Sequence, residues 1–280
     1  MFHNCISSLV FFILAIGSFA LLLTANVATI GKNTARSEIF LIGLNMNKLN
    51  SIRLLPQLSI SHASTELGFA SNYVFGLYGY CRGDSELNTQ TVESVFETNG
   101  LQNAWCSEPK AAYYINPVDF VVDEINQHNK LGLKISKSDI VLPGDLQNKI
   151  DTIKNVSLLM YITSIISIAA SLCSVAFYLL CVFCGGTFFS FLSQSIAFIT
   201  SVLFAGSATG IYKYVRDQFN NNFDEFGIQA VLSYKFLAIA WVGSALSLLT
   251  LLFMILRSCC CIPMSRPTYE KQNLYGERIL

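Results

Sequence analysis

The stretch VSLLMYITSIISIAASLCSVAFYLLCVF (Val156–Phe183) is followed, after Cys184-Gly185-Gly186, by TFFSFLSQSIAFITSVLFAGSATGIY (Thr187–Tyr212). Neither run contains Asp, Glu, Lys or Arg, and each exceeds the roughly 20 residues a helix needs to cross a hydrocarbon core of about 30 Å. So short a connection forces the two helices to return antiparallel. Ile6–Ile30 upstream and Phe236–Leu256 downstream have the same character. The fold class is therefore membrane α-helical, a four-transmembrane-helix bundle with spans at 6–30, 156–183, 187–212 and 236–256. Residues 1–5, a large first loop 31–155, a short loop 213–235 and a tail 257–280 complete the chain.

The 18 Lys and Arg balance the 18 Asp and Glu, and all of them lie outside the four spans. An intramembrane charge costs about 2.5–3.5 kcal/mol and is kept for proton relays or ion paths, so its absence argues against a pump or coupled transporter. A net charge of zero, without a basic run interleaved with aromatics, gives no footprint for nucleic acid. The first run reads as a span rather than a cleaved signal peptide. It lacks a basic leader, is long for a signal core, and ends in Thr24-Ala25-Asn26-Val27-Ala28, a poor small-residue cleavage site.

An even number of spans puts both termini on one side. Arg257, Arg266, Lys271 and Arg278 outweigh Glu270 and Glu277 in the tail, which favours cytoplasmic termini, although Lys213, Arg216 and Lys235 in the short loop reduce the contrast. The nine cysteines fit this orientation. Cys5, Cys181, Cys184, Cys259, Cys260 and Cys261 fall at the cytoplasmic ends, Cys173 within a span, and Cys81 and Cys106 in the large loop. Those two are positioned for a disulfide in an oxidising compartment, the alternative being two unpaired thiols.

The large loop carries the elements of a small extracellular domain. Ile39–Leu44 and Tyr73–Tyr78 are β-branched or aromatic runs that read as strands. Between the cysteines, Arg82-Gly83-Asp84-Ser85 reads as a turn, and its adhesion-type tripeptide as a chance match; a short helix is expected to end near Asn99-Gly100. Asn116-Pro117-Val118-Asp119 is a helix start, with a capping Asn, Pro in the first turn and an acid after it. Val118, Val121, Val122 and Ile125 then make a stripe that would pack on the sheet. Pro143-Gly144-Asp145 opens a second helical pattern, with Leu146, Ile150 and Ile153 on one face, able to run unbroken into the second span. Asn155-Val156-Ser157 is a sequon, but its place at the membrane boundary makes Asn155 a doubtful glycosylation site.

Within the spans, Gly206 and Gly210, and Gly243 and Ser247, have the small-x-x-x-small spacing that lets helix backbones approach; packing inside the bundle is favoured over an oligomer seam. The juxtamembrane cysteines Cys181, Cys184, Cys259, Cys260 and Cys261 are candidates for palmitoylation. A metal site is the rival, disfavoured because three adjacent cysteines present separate tetrahedral ligands poorly and no His is near. His3, His62 and His128 are scattered, no catalytic constellation can be placed, and no cofactor motif appears. The chain reads as a non-enzyme without metal or cofactor.

Gly76-Leu77-Tyr78-Gly79-Tyr80-Cys81, followed by Cys106 in the first loop of a four-span chain, resembles the Gly-Leu-Trp…Cys…Cys signature of the claudin-like superfamily. The run from Cys106 through Pro109, Lys110, Tyr113, Tyr114, Asn116 and Pro117 is similar to the fungal Sur-seven/PalI family, as are Phe226–Ala230 and Trp241 near the last span. The resemblance implies a claudin-like disulfide-containing extracellular domain. It also implies a multi-pass plasma-membrane protein in cortical patches, organising an eisosome-associated compartment and contributing to cell-wall integrity, membrane organisation and endocytosis. Expected partners are membrane lipids, other eisosome or cortical membrane proteins and further copies of the chain. The PalI branch implies instead an accessory to ambient-pH signalling, and a channel or transporter subunit is the third reading. Tyr78 stands where claudins have Trp, a departure from the strict claudin pattern; the tail is shorter than many PalI tails, and that second departure leans toward the eisosome branch.

Overall fold

The computed structural model describes residues 2–28, 39–47, 49, 67–84, 101–140, 146–184, 187–222 and 227–260. In chain order the elements are α1 (Phe2–Val27), β1 (Ile42–Asn45), β2 (Asn72–Gly76), β3 (Gly79–Asp84), β4 (Gln102–Cys106), α2 (Pro117–His128), a 3-10 turn Lys137–Asp139, α3 (Leu146–Cys184), α4 (Thr187–Asn222), β5 (Gln229–Leu232) and α5 (Tyr234–Cys260). Stretches long and apolar enough to cross a membrane are Ser8–Val27, Ile150–Leu180, Phe188–Asn221 and Tyr234–Arg257. In the bundle α3 packs on α4, α4 on α5, α5 on α1 and α1 on α3.

Helices α3 and α4 have 39 and 36 residues. At 1.5 Å per residue each outruns a core of about 30 Å by about 20 Å or more. Both extend past the apolar runs at the end of the bundle that carries the sheet. Asp151, Lys154, Lys213, Arg216 and Asp217 end the hydropathy signal there without ending the helix. The inner face of the extensions stays apolar: Ile150, Ile153, Val215 and Phe219 are buried. Leu146 begins α3, whereas Pro143-Gly144-Asp145 lies outside the described residues.

Helix contacts in the bundle are made by small polar residues. Ser190 Oγ donates to the Ser174 carbonyl at 3.0 Å and Ser174 Oγ to that of Ser190 at 3.3 Å, while Ser193 Oγ donates to Ala170 O at 2.9 Å. Ser244 Oγ reaches Ser201 O at 3.0 Å, Ser18 Oγ reaches Gly243 O at 2.8 Å, and Gln194 Nε2 donates to both the carbonyl and the hydroxyl of Ser247. Without a hydrophobic drive in lipid, such close contacts hold helices together. Gly243 belongs to this packing, since a Cβ there would lie 3.2 Å from Leu22 Cγ. Gly206 and Gly210 do not, because a Cβ on either would meet nothing within 4 Å. They are exposed on the outer face of α4.

The sheet is wholly antiparallel, ordered β4-β3-β2-β1-β5. Its last strand comes from the segment 213–235, where a plain loop was expected; Ile42–Asn45 pairs with Leu232–Gln229. Arg82-Gly83-Asp84 is strand rather than turn. Arg82 and Gly83 pair with Tyr73 and Asn72, and a register shift between Arg82 and Asp84 absorbs the irregularity. The helix expected near Asn99-Gly100 lies outside the described residues.

Alternation divides the sheet into two faces. Val74 and Cys81 point to one side, packed with Phe40 and Leu101 around the disulfide. Tyr73, Phe75 and Tyr80 point to the other, where Phe120 of α2 meets all three rings edge-on. This second face opens onto a single apolar core that continues through Leu77, Ile153 and Met160 to Leu22, Phe204 and Phe236 within the bundle.

The C-terminal end of α2 rests on Gly68, whose φ is +88°. A Cβ at Gly68 would lie 2.4 Å from His128 C and 2.7 Å from Asn129 N. Gly68→Ala therefore combines left-handed backbone strain with a clash against immovable main chain, and should destabilise the protein by roughly 2–5 kcal/mol. Thermal unfolding of the detergent-solubilised variant tests this; a transition within a degree of the parent's would refute it.

Candidate functional site

Helix α2 starts where its residues dictate. Asn116 Oδ1 accepts from the Val118 and Asp119 amides at 3.2 and 3.4 Å, and Pro117 occupies the first turn. Its buried residues are Pro117, Phe120, Val121, Glu124 and Ile125. The face on the sheet is thus rotated from the Val118/Val121/Val122/Ile125 stripe toward Phe120 and Glu124. Val118 and Val122 are half-buried.

Glu124 is wholly enclosed. Its carboxylate accepts from Tyr80 Oη at 2.6 Å, Tyr73 Oη at 2.9 Å and Arg82 Nη1 at 2.8 Å, with His128 Nδ1 at 3.6 Å. Arg82 also donates through Nη2 to Gly68 O at 2.7 Å, and the Tyr73 hydroxyl accepts from the Ala70 amide. A buried carboxylate is tolerable only with such partners. Burial, followed by the nearby Glu124 charge, raises the Tyr73 phenol far above its ordinary value near 10; burial, then the hydrogen bond to Glu124, does the same for Tyr80. This network locks α2 to the β2–β3 hairpin. Reading the sequence missed it, because a mid-helix Glu ordinarily faces water. The available signal was Arg82 at strand spacing from Tyr80, a charge on a face that is otherwise apolar.

On the opposite sheet face Cys81 and Cys106 are cross-strand partners joined by a disulfide, with Cα atoms 4.0 Å apart. Beyond Cys106 the chain runs back beside the hairpin turn. The amides of Ser107, Lys110 and Tyr113 donate to the carbonyls of Tyr80, Tyr78 and Leu77 at 2.9, 2.7 and 3.2 Å. The two motif stretches, Gly76–Cys81 and Cys106–Pro117, are thereby stitched together. Ala112, with φ of 52°, supplies the left-handed residue in this segment.

The turn of the hairpin, Leu77-Tyr78, is buried where turns are usually polar. Its tip sits in the end of the bundle: Tyr78 Oη donates to Asn26 Oδ1 of α1 at 2.6 Å, and its ring meets Tyr161 of α3 edge-on.

Between the Lys110–Asn116 segment and the start of α2 lies a cleft of about 200 Å³, with Tyr80, Phe120, Tyr113, Asp119, Asp123 and Lys110 among its lining. Asp119 is held by Asn116 Nδ2 at 2.8 Å and by Lys137 Nζ at 2.5 Å. The hydrogen bond to Asp119, followed by the Asp119 charge, raises the Lys137 ammonium pKa.

At the other end of the bundle, Phe11 of α1 stacks on Tyr178 of α3, and Arg257 of α5 donates to the Tyr178 hydroxyl. The helix ends bearing Cys181, Cys184, Cys259 and Cys260 gather there; Cys261 lies outside the described residues. Asn155 of the sequon is exposed within unbroken α3. Among the described residues no three His, Cys, Asp or Glu converge as a metal site.

The model of the SUR7/PalI family matches residues 7–253. The chain is 28% identical over 272 residues to Protein PUN1 of Saccharomyces cerevisiae, covering 94% of each. It is also 28% identical over 182 residues to the SUR7 family protein pun1 of Schizosaccharomyces pombe, covering 63% of this chain and 56% of that one. No solved structure matches.

Glu124→Gln leaves the Arg82 guanidinium without its counter-charge in a largely buried position, an effect of roughly 3–5 kcal/mol. Its unfolding midpoint should fall sharply, and an unchanged midpoint would show the ion pair to be dispensable. A second outcome concerns pH. The Tyr73 and Tyr80 pKa values are raised in the folded state, so their contribution is complete below pH 10. It declines above that value by up to about 1.4 kcal/mol per pH unit for each phenol, as the unfolded chain ionises first. Unfolding followed between pH 8 and 11 should show a decline that begins near 10 and is shallower in Tyr80→Phe.

Proposed function

The chain belongs to the SUR7/PalI family, and from that premise we propose that it is a non-enzymatic organiser of a cortical, eisosome-associated compartment of the plasma membrane. In this role it contributes to membrane organisation, cell-wall integrity and endocytosis, with both termini in the cytoplasm and the sheet domain outside. The observation that carries the reading is the continuous core running from the bundle into the sheet. A domain held this way presents a fixed surface above the membrane, which suits lateral assembly with lipids, other cortical proteins or further copies. Similarity to Protein PUN1 along nearly the whole chain supports the premise that bundle and sheet together form one unit of this family.

The convergence of cysteine-bearing helix ends opposite the sheet favours acylation there as the sorting signal. A single acyl chain holds a membrane only marginally, but on a protein already spanning it, several saturated chains bias the choice of lipid environment.

Live-cell imaging of a tagged copy beside a marker of furrow-like membrane domains tests the proposal. Stable co-localised patches are expected. A diffuse surface or endosomal distribution would refute the organiser role and move the weight to ambient-pH signalling. Replacing Cys259, Cys260 and Cys261 together should disperse the patches, and patches left intact would remove acylation from the account. Cys81→Ser should be retained inside the cell, because the bond closes a loop worth roughly 3 kcal/mol of unfolded-chain entropy.

A further inference from the structure

The cleft beside α2 has a composition that neither the Glu124 network nor the membrane bundle explains. Phe120 is buried at its base, and the rings of Tyr80 and Tyr113 stand 6.3 Å apart at 35° to one another, presenting aromatic surface to the opening. The Tyr80 ring is fixed there by its hydrogen bond to Glu124; the Tyr113 main chain is fixed by the hydrogen bond its amide donates to Leu77 O, and its ring lies against that of Tyr80. Polar groups of both signs surround it. Asp119 is half-buried and oriented by Asn116 and Lys137, whereas Asp123 and Lys110 are exposed.

Each ligand class makes a different demand on such a cleft. An anion would face the two carboxylates. A quaternary or primary ammonium would gain from the rings but meet Lys110 at the rim, with Lys137 already neutralising Asp119. An acyl chain would strip water from Asp123 and Lys110 and offer neither a hydrogen bond in return. A neutral ring with one C–H face and several hydroxyls satisfies all of them. Its apolar face covers the tyrosines, while its hydroxyls donate to the carboxylates and accept from the ammonium. The volume of about 200 Å³ lies below that of drug-sized sites and suits one such ring.

We propose that the cleft formed by Tyr80, Tyr113, Phe120, Asp119, Asp123 and Lys110 is a binding site for a neutral hexose unit of a saccharide chain. The site stands apart from the organiser reading, since binding by the purified chain needs no cell.

Trp105 reports on the cleft from outside it. Its ring meets Tyr80 edge-on at 6.1 Å, and the chain has just two tryptophans. In a Trp241→Phe background in detergent or nanodiscs, emission from Trp105 is followed while oligomers of glucose, mannose or N-acetylglucosamine are titrated, with tetramethylammonium and free lysine as comparison probes. At least one saccharide should give a saturable change, with half-saturation on the order of 1 mM for a single bound ring. Asp123→Asn and Lys110→Ala, at exposed positions that do not threaten folding, should each weaken it several-fold, and Tyr113→Ala about tenfold or more. Saturation by the ammonium probes alone would overturn the proposal in favour of a cation site. Saccharide binding indifferent to all three substitutions would place it elsewhere, and no saturable response to any probe would remove it.

Discussion

The structure depends on the seating of one β-turn in the end of a helical bundle. Leu77 and Tyr78 occupy a position that in a free hairpin would be wet and polar, yet both are buried. The Tyr78 hydroxyl is satisfied by Asn26 and its ring by Tyr161, so one residue touches α1 and α3 at once. A side chain that is apolar along its body and polar at its tip suits a site where the membrane core ends and a polar partner waits. The claudin-like Trp at this place would have one donor in a different position, so Tyr with Asn26 is a self-consistent local solution rather than a lost motif. Because the turn is docked, the strands leaving it are held near the bundle, and the Ser107–Tyr113 segment has fixed carbonyls to bond.

From that docking follows the shape of the core. α3 and α4 continue beyond the apolar spans and offer Ile153, Val215 and Phe219 to the underside of the domain. β5, between α4 and α5, closes the sheet against β1. The domain is therefore covalently tied to the bundle at both edges of the second loop as well as through the first. Two polar systems then specify what apolar contact alone leaves loose. Serines and Gln194 set the helix registers in the bundle, and Glu124 sets the register of α2 on the sheet. Buried polar groups that hydrogen-bond across elements restrict a core to one arrangement, here through Gln194 Nε2 rather than its Oε1, which has no partner among the described residues.

Parts of this were legible in the sequence for physical reasons. The spans announce themselves by composition, because no charge is tolerated in lipid without a use. The start of α2 was legible because Asn116 and Pro117 act within a single turn. The disulfide was legible because only Cys81 and Cys106 share the loop. What escaped was non-local. Four residues of β5 carry no pattern strong enough to mark a strand, and their partner β1 lies before the second span. The continuation of α3 back to Leu146 was legible from Leu146, Ile150 and Ile153 on one face, whereas that of α4 to Asn222 was not, because charge terminates hydropathy, not hydrogen bonding. Gly83 and Asp84 suggested a turn, but pairing on both sides of β3 overrode local preference. Glu124 was invisible because its three hydrogen-bond partners come from two strands. The cleft escaped too: it forms only when the Lys110–Tyr114 segment folds beside α2.

The same rigidity bears on how a protein with so little titratable chemistry can act. In a flexible loop domain, a contact at the outer surface would be dissipated in the linker. Here the cleft shares Tyr80 with the Glu124 network, the network shares the β2–β3 hairpin with the docked turn, and the turn rests on α1 and α3. Every link is a packed or hydrogen-bonded contact between ordered elements. A molecule held at the cleft would thus constrain the orientation of the whole bundle, including the helix ends at the far side, without any change of conformation. For a protein whose proposed work is to stay in one patch of membrane, that would be a sufficient mechanism: the proposed contact at the cleft and the proposed lipid preference at the opposite end of the bundle would act on one rigid body, and their effects on its position would add.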